Sequence, residues 1–237
     1  MKLLLSGGNA EGVDTLDKFF ASQIDINGKI LYIPVADEEA SFDKRLAWFK
    51  ATYGKHGIFN IEMCVDLNKA VISDTCSAIY IGGGNTFRLL KKIRESGFDK
   101  KLVDYINQGG FVYGLSAGSI IFSEDIMSTT YETENVVGFA DSRGLDMVKG
   151  YNICCHYGNG DEKNTNYKRD RIREFSAQSH GTIALPNGCA VFVEEETITF
   201  IGSGIVVFPA TRKGRLRLPA RRAVGGECHG TRVKNGV

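Results

Sequence analysis

The first half of the chain alternates short apolar runs with longer amphipathic ones, and this alternation constrains the fold more than any other feature. Strand-like runs lie at 2–6, 29–36, 60–67, 78–83 and 111–115, and helix-like segments separate them. Nearly continuous apolar strands that alternate with helices are typical of a parallel sheet covered by helices on both faces. The sequence therefore predicts an α/β fold built on a mostly parallel, Rossmann-like sheet.

The second half has a different pattern. A strand-like run at 151–157 is followed by a charged, helix-like segment at 162–179. Three short strand-like runs then follow closely, at 189–195, 197–203 and 204–210. We interpret them as a small antiparallel edge. The prediction is one α/β domain over residues 1–210.

The last segment, 211–237, is a basic tail. It carries eight lysine and arginine residues against the single acidic residue Glu227, and it has few large apolar side chains. Such a composition cannot bury a core, so we expect a disordered or non-native extension. A nucleic-acid-binding arm is the weaker alternative.

Composition limits the partners and the compartment. The formal net charge of +1 gives no reason to expect nucleic acid or an acidic membrane as a partner. No apolar run approaches the roughly 18 residues that a bilayer requires. The six cysteines are scattered, which favours reduced thiols in a cytoplasmic protein over a disulfide framework.

The stretch FVYGLSAGSIIF, residues 111–122, places Ser116 between Gly114 and Gly118 where a strand gives way to a helix. This is the pattern of a nucleophile elbow, in which a sharp turn exposes the serine hydroxyl and requires small neighbours. The amide of Ala117 would then donate to an oxyanion. The alternative is an ordinary strand–helix turn with a serine N-cap.

A second glycine cluster, YIGGGNTF at 80–87, ends the preceding predicted strand. The carboxyl ends of parallel strands face one crevice, so the amide of Gly84 or of a neighbour is a candidate second oxyanion donor. A phosphate-binding turn is the alternative, although the cluster lacks the G-x-G-x-x-G spacing and a P-loop lysine.

A serine nucleophile needs a base, and His156 is the best placed of the four histidines because it follows the apolar run YNICC. His56 follows an amphipathic helix, His180 lies in a polar turn and His229 lies in the tail. The adjacent Cys154 and Cys155 do not indicate a metal site, since neighbouring strand residues point to opposite faces.

These motifs together resemble the peptidase E family, the aspartyl dipeptidases, which are related to the cyanophycinases. IGGGNTFRLLKKIRESG, GGFVYGLSAGS and DRIREF carry the resemblance, which extends over about residues 1 to 205. It implies a sheet similar to that of the class I glutamine amidotransferases.

The resemblance implies roles for individual residues. Ser116 matches the nucleophile and His156 the base, while Ala117 and Gly84 match the oxyanion donors. Glu132, with Glu134 as its near alternative, matches an acidic residue that orients the imidazole or binds the substrate amine. The other candidate for the third catalytic member is an acid in a Leu-Pro-acid-Gly turn, where this chain has Asn187.

The activity implied is serine-type hydrolysis of short peptides, in particular dipeptides with N-terminal aspartate, with no cofactor and no metal. Arg171 is the candidate for the acidic side chain of the substrate, and a solvated helix face is the alternative for it. Hydrolysis of another amide or ester, such as a β-aspartyl peptide or a modified amino acid, stays open. So does a catalytically weakened binding protein on the same scaffold, and so does assembly as a homodimer.

Overall fold

The computed structural model describes residues 1–11, 14–130, 133–148, 150–178 and 180–210. Within these ranges the chain forms ten strands and six α-helices. The strands are β1 Lys2–Ser6, β2 Lys29–Ile33, β3 Ile61–Met63, β4 Cys76–Ile81, β5 Phe111–Leu115, β6 Tyr151–Cys154, β7 Gly181–Ala184, β8 Ala190–Glu194, β9 Thr197–Ile201 and β10 Val206–Phe208. The helices are α1 Thr15–Ser22, α2 Phe42–Tyr53, α3 Thr86–Glu95, α4 Phe98–Asn107, α5 Ala117–Ile120 and α6 Glu162–Gln178.

Seven strands form the main sheet in the order β3-β2-β4-β5-β1-β8-β9. The first five pair in parallel, whereas β8 and β9 add an antiparallel edge. The predicted α/β class, the mostly parallel sheet and the antiparallel edge are confirmed. The carboxyl ends of β1, β4 and β5 therefore lie side by side at one edge of the sheet.

A second sheet of three strands, in the order β10-β7-β6, was not predicted. β6 and β7 pair in parallel, and β10 pairs with β7 in the antiparallel sense. The run at 204–210 thus contributes β10 to this sheet and not to the edge of the main one. β7 was not predicted because it has only four residues, and its first residue, Gly181, continues the polar turn that precedes it.

Two apolar layers cover the main sheet. Along β1, Leu3 and Leu5 belong to one buried cluster and Leu4 to the other, and all three are fully buried. Alternate residues of a strand point to opposite faces, so a strand buried on both faces must be apolar throughout. This explains why three leucines follow one another in the centre of β1.

The helices begin and end at recognisable signals. Asn85 caps α3, since its side-chain oxygen accepts a hydrogen bond of 2.9 Å from the N–H of Arg88. Gly97, with a φ of 66°, separates α3 from α4. In the described part of the chain, no helix is long and apolar enough to cross a membrane.

The basic tail at 211–237 lies outside the described residues, so the prediction made for it stays a prediction.

Candidate active site

Ser116 lies between the last residue of β5 and the first residue of α5, in a backbone conformation that residues other than glycine rarely adopt. Its φ of 51° and ψ of −109° mark a strained turn. A Cβ on Gly114 would lie 2.4 Å from the carbonyl oxygen of Gly118, and one on Gly118 would lie 2.3 Å from that of Ile81. The turn is therefore too tight for any residue but glycine at positions 114 and 118, two residues before and after the serine, as the elbow pattern requires.

His156 faces Ser116 across this edge of the sheet. Its Nε2 lies 2.8 Å from Ser116 Oγ, and its Nδ1 lies 2.7 Å from Asn187 Oδ1. The amide oxygen accepts the Nδ1 hydrogen, which leaves the Nε2 lone pair free to accept the serine proton. The three side chains form the chain of hydrogen bonds that a serine nucleophile needs.

The backbone of His156 is fixed on both sides. Its N–H donates to Gly7 O over 3.0 Å, and its carbonyl accepts a hydrogen bond of 3.1 Å from the buried Lys168 Nζ. The residue has a φ of 54°, a positive value that is uncommon for residues other than glycine. These contacts hold the imidazole in a backbone conformation that the residue would otherwise seldom populate.

The turn that bears Asn187 is also tied to the site. The Asn187 N–H donates to Asn159 Oδ1 over 3.0 Å, and the Gly188 N–H donates to Gly8 O over 2.8 Å. A Cβ on Gly8 would lie 2.3 Å from Asn187 Oδ1 and 2.6 Å from His156 Cε1. The backbone of Gly8 thus packs directly against the pair of side chains that orient each other.

The glycine turn after β4 lies on the other side of Ser116. A Cβ on Gly83 would lie 3.4 Å from Ser116 Cβ, so this backbone approaches the serine closely. Gly84 has a φ of 142° and packs against the backbone of Ala36, where a Cβ would lie only 2.6 Å away. Ala117 is fully buried and opens α5, so its N–H has no intrahelical acceptor.

Ser116, His156 and Asn187 line a cavity of about 320 Å³ together with Gly8, Asn9, Tyr32, Pro34, Arg45, Trp48, Gly82, Gly83, Gly84 and Leu115. Burial raises the pKa of the Tyr32 phenol to about 12, so this wall residue stays protonated and uncharged at neutral pH. Ligand pockets typically start at roughly 300 Å³, so the cavity is of a size for a small molecule and not for a folded protein.

Arg45 and Trp48 were missed by the sequence analysis. Both lie on α2, whose amphipathic pattern shows its buried face but gives no sign that its first turns overlie the crevice. The available signal was topological, because α2 follows β2 and the loops after parallel strands gather at the ligand-binding edge.

Arg171, the sequence-based candidate for the substrate carboxylate, lies elsewhere. It is half exposed on α6, where its Nη1 is 2.8 Å from Glu174 Oε2, and it does not line the cavity. Glu134 is exposed and does not line the cavity either. Glu132 lies outside the described residues, so the role expected for it stays a prediction.

Among the described residues, no group of three or more His, Cys, Asp or Glu side chains is arranged to hold a metal ion.

The parallel sheet, the strained serine and the imidazole beside it define a serine-type peptidase of α/β fold. The chain belongs to peptidase family S51, whose family model matches residues 2–201.

Individual relatives agree with this assignment. Peptidase E from Escherichia coli O6:K15:H31 is 28% identical over 211 residues, which cover 84% of this chain and 89% of the relative. Peptidase E from Escherichia coli K12 shows the same identity and coverage.

Two crystal structures share the fold. A peptidase E candidate from Listeria monocytogenes EGD-e superimposes with a TM-score of 0.63 at 20% identity and covers 89% of this chain and 98% of its own. A peptidase from an acI-B1 Actinobacterium superimposes with a TM-score of 0.62 at 14% identity and covers 89% of this chain and 94% of its own.

Proposed function

We propose that this serine peptidase cleaves short peptides, and above all dipeptides with an N-terminal aspartate, through an acyl-enzyme on Ser116. The observation that carries the proposal is the pair of contacts at 2.8 Å and 2.7 Å that link Ser116 Oγ, the His156 imidazole and Asn187 Oδ1. The kinship with peptidase E supports the dipeptide substrate, and the small cavity is compatible with it.

In the first step His156 Nε2 takes the Ser116 proton while Oγ attacks the scissile carbonyl carbon. The carbonyl oxygen becomes an oxyanion, which the amides of Ala117 and of the Gly83–Gly84 turn stabilise. The C–N bond then breaks as His156 gives its proton to the leaving amine. Water, deprotonated by the same imidazole, then attacks the acyl carbon, the bond to Ser116 Oγ breaks, and the imidazole returns the proton to Oγ as the acid leaves.

Asn187 orients the imidazole but adds no charge. An amide oxygen holds the tautomer that leaves Nε2 unprotonated, yet it stabilises the transient imidazolium less than a carboxylate would. This predicts a slower enzyme than one with an acid at the same position.

Hydrolysis of Asp-Leu, β-Asp-Leu, Glu-Leu and Ala-Leu by the wild type, Ser116→Ala and His156→Ala tests the proposal. We expect Asp-Leu to be cleaved best and both variants to lose activity by several orders of magnitude. Cleavage of β-Asp-Leu alone would redirect the substrate assignment. Full activity of Ser116→Ala would remove the nucleophile from the mechanism.

A covalent serine probe separates an enzyme of unknown substrate from a binding protein. Labelling at Ser116 that disappears in His156→Ala indicates an activated nucleophile even if all four peptides resist cleavage. A folded protein that neither reacts with the probe nor cleaves a peptide would favour a binding role.

Cys64 and Cys76 are free cysteines. Free thiols fit the reducing cytoplasm that we propose as the location of the protein.

A further inference from the structure

The cavity around Ser116 contains one guanidinium group. Among the described residues that line it, Arg45 carries the one permanent charge, and no carboxylate side chain lines it. A cation at the wall of a small cavity without a lining acid favours an anionic ligand group.

Arg45 is held in place by Asp37. The Arg45 Nε donates to Asp37 Oδ2 over 2.5 Å, and Asp37 Oδ1 accepts a hydrogen bond of 3.0 Å from the N–H of Glu38. The Asp37 N–H in turn donates to Pro34 O over 2.9 Å. The carboxylate is therefore fixed by its own loop, and it fixes the guanidinium from one side.

The same loop packs against the glycine turn beside the nucleophile. A Cβ on Gly84 would lie 2.6 Å from Ala36 O and 2.9 Å from the Asp37 nitrogen. The Asn85 N–H also donates to Ala36 O over 2.8 Å. Arg45 is thus connected through Asp37 to the backbone that flanks Ser116, so its position is tied to the reacting centre.

The ion pair with Asp37 leaves part of the guanidinium available. Nε is its bonded nitrogen, and neither Nη group has a hydrogen-bond partner within the described part of the chain. The Arg45 side chain is 49% exposed, while that of Asp37 is only 19% exposed. Two Nη groups at one edge suit a bidentate grip on a carboxylate.

Trp48 completes the wall. It lies three residues after Arg45 on α2, which places the two side chains on the same face of the helix, and both line the cavity. An indole beside a guanidinium offers apolar contact to the methylene groups of a substrate whose carboxylate the guanidinium binds.

We infer that Arg45 determines specificity by binding a carboxylate of the peptide substrate. This is the role for which the sequence suggested Arg171. The inference rests on the proposed function. A dipeptide with N-terminal aspartate carries two carboxylates, one on the side chain and one at the C-terminus, and both have the chemistry that Arg45 recognises.

The test compares kcat/KM for Asp-Leu, Asn-Leu, Asp-Leu amide and Asn-Leu amide in the wild type, Arg45→Gln and Arg45→Lys. Asparagine and the amide each remove one carboxylate charge with little change of shape. Arg88→Gln is the matched control, because Arg88 pairs with Glu38 next to Asp37 but does not line the cavity.

We expect Arg45→Gln to reduce kcat/KM for Asp-Leu by roughly 10- to 100-fold, chiefly through KM. If Arg45 binds the side chain, the preference for Asp-Leu over Asn-Leu collapses. If it binds the C-terminus, the preference for the free acid over the amide collapses. Arg45→Lys should keep part of the preference, and Arg88→Gln should keep all of it.

An equal loss on all four substrates, or no loss, in a protein of unchanged thermal stability would overturn the inference. Calorimetric titration of Asp-Leu into the Ser116→Ala variant, and into the same variant that also carries Arg45→Gln, measures binding without turnover. If the wild type cleaves nothing but binding weakens in Arg45→Gln, the proposed function fails and the Arg45 site stands. A protein that neither cleaves nor binds Asp-Leu overturns both.

Discussion

Replacing Asn187 with aspartate should accelerate peptide cleavage, because it puts a charge where the structure places a neutral acceptor. Asn187 Oδ1 lies 2.7 Å from His156 Nδ1, and an aspartate of nearly the same shape keeps that contact. The new carboxylate faces an imidazole that, in the proposed mechanism, gains a positive charge as it takes the Ser116 proton. The added attraction therefore lowers the barrier more than it stabilises the ground state.

The magnitude follows from Coulomb's law. Two unit charges about 4 Å apart attract by roughly 4 kcal/mol at an effective dielectric constant of 20. His156 and Asn187 are both partly exposed, so solvent screens part of this attraction. We expect about 2 kcal/mol, which corresponds to a gain of roughly 30-fold in kcat/KM.

The assay is steady-state hydrolysis of the best dipeptide by the wild type and Asn187→Asp, with Asn159→Asp as the matched control. Asn159 accepts a hydrogen bond from the Asn187 N–H, so its replacement places a charge in the same region without touching the imidazole. The control should change kcat/KM by less than about threefold. An unchanged or lower rate for Asn187→Asp, with stability intact, would show that Asn187 does not face the imidazolium in the transition state.

Three further changes have expected outcomes. Gly84→Ala should lower kcat by roughly 100- to 1,000-fold, because its Cβ would collide with Ala36 and move the amide that we propose as an oxyanion donor; near-normal kinetics would remove this turn from the oxyanion site. Lys168→Met should cost about 1–3 kcal/mol of unfolding free energy and lower kcat/KM, since the His156 carbonyl loses a buried donor; a loss of stability alone would make the lysine purely structural. Asp17→Asn should stabilise the protein at neutral pH, because burial raises the pKa of the Asp17 carboxyl and ionisation therefore opposes folding. In denaturant titrations this gain should vanish below about pH 4, where both states are protonated, and a gain independent of pH would contradict it.

The parts of the fold that the sequence predicts are those with a local physical signature. The strands β1, β2, β4 and β5 are mostly apolar because both of their faces are buried along most of their length, and the strained turn at Ser116 demands glycine at 114 and 118. His156 could be selected because, of the four histidines in this chain, it is the one that follows a predicted strand. Each of these inferences needs only the residues of one segment and their immediate neighbours.

The features that escaped prediction depend on contacts between distant segments. Which strands share a sheet is decided by pairing over long sequence separations, so the separate sheet of β6, β7 and β10 left no local trace. Arg171 and Arg45 both lie on amphipathic helices with charged outer faces. Only the packing of α2 over the crevice distinguishes the arginine that lines the cavity from the one that pairs on the surface.

The division of the strands into two sheets has a consequence for how the enzyme loses activity on heating. Ser116 follows a strand of the larger sheet, whereas His156 and Asn187 follow β6 and β7 of the smaller one. One face of the smaller sheet joins the main core, and the other covers a cluster of only five buried residues, Cys154, Tyr157, Ile172, Ala184 and Phe208.

Because its second core is so small, we expect this sheet to open at a lower free energy than the whole molecule. Partial opening would carry His156, the proposed base, away from Ser116, which stays in place. On heating, hydrolysis should therefore cease while the larger sheet is still folded, and it should return on cooling. During heating, we therefore expect residual activity to follow the alignment of the two sheets and not the fraction of molecules that remain folded.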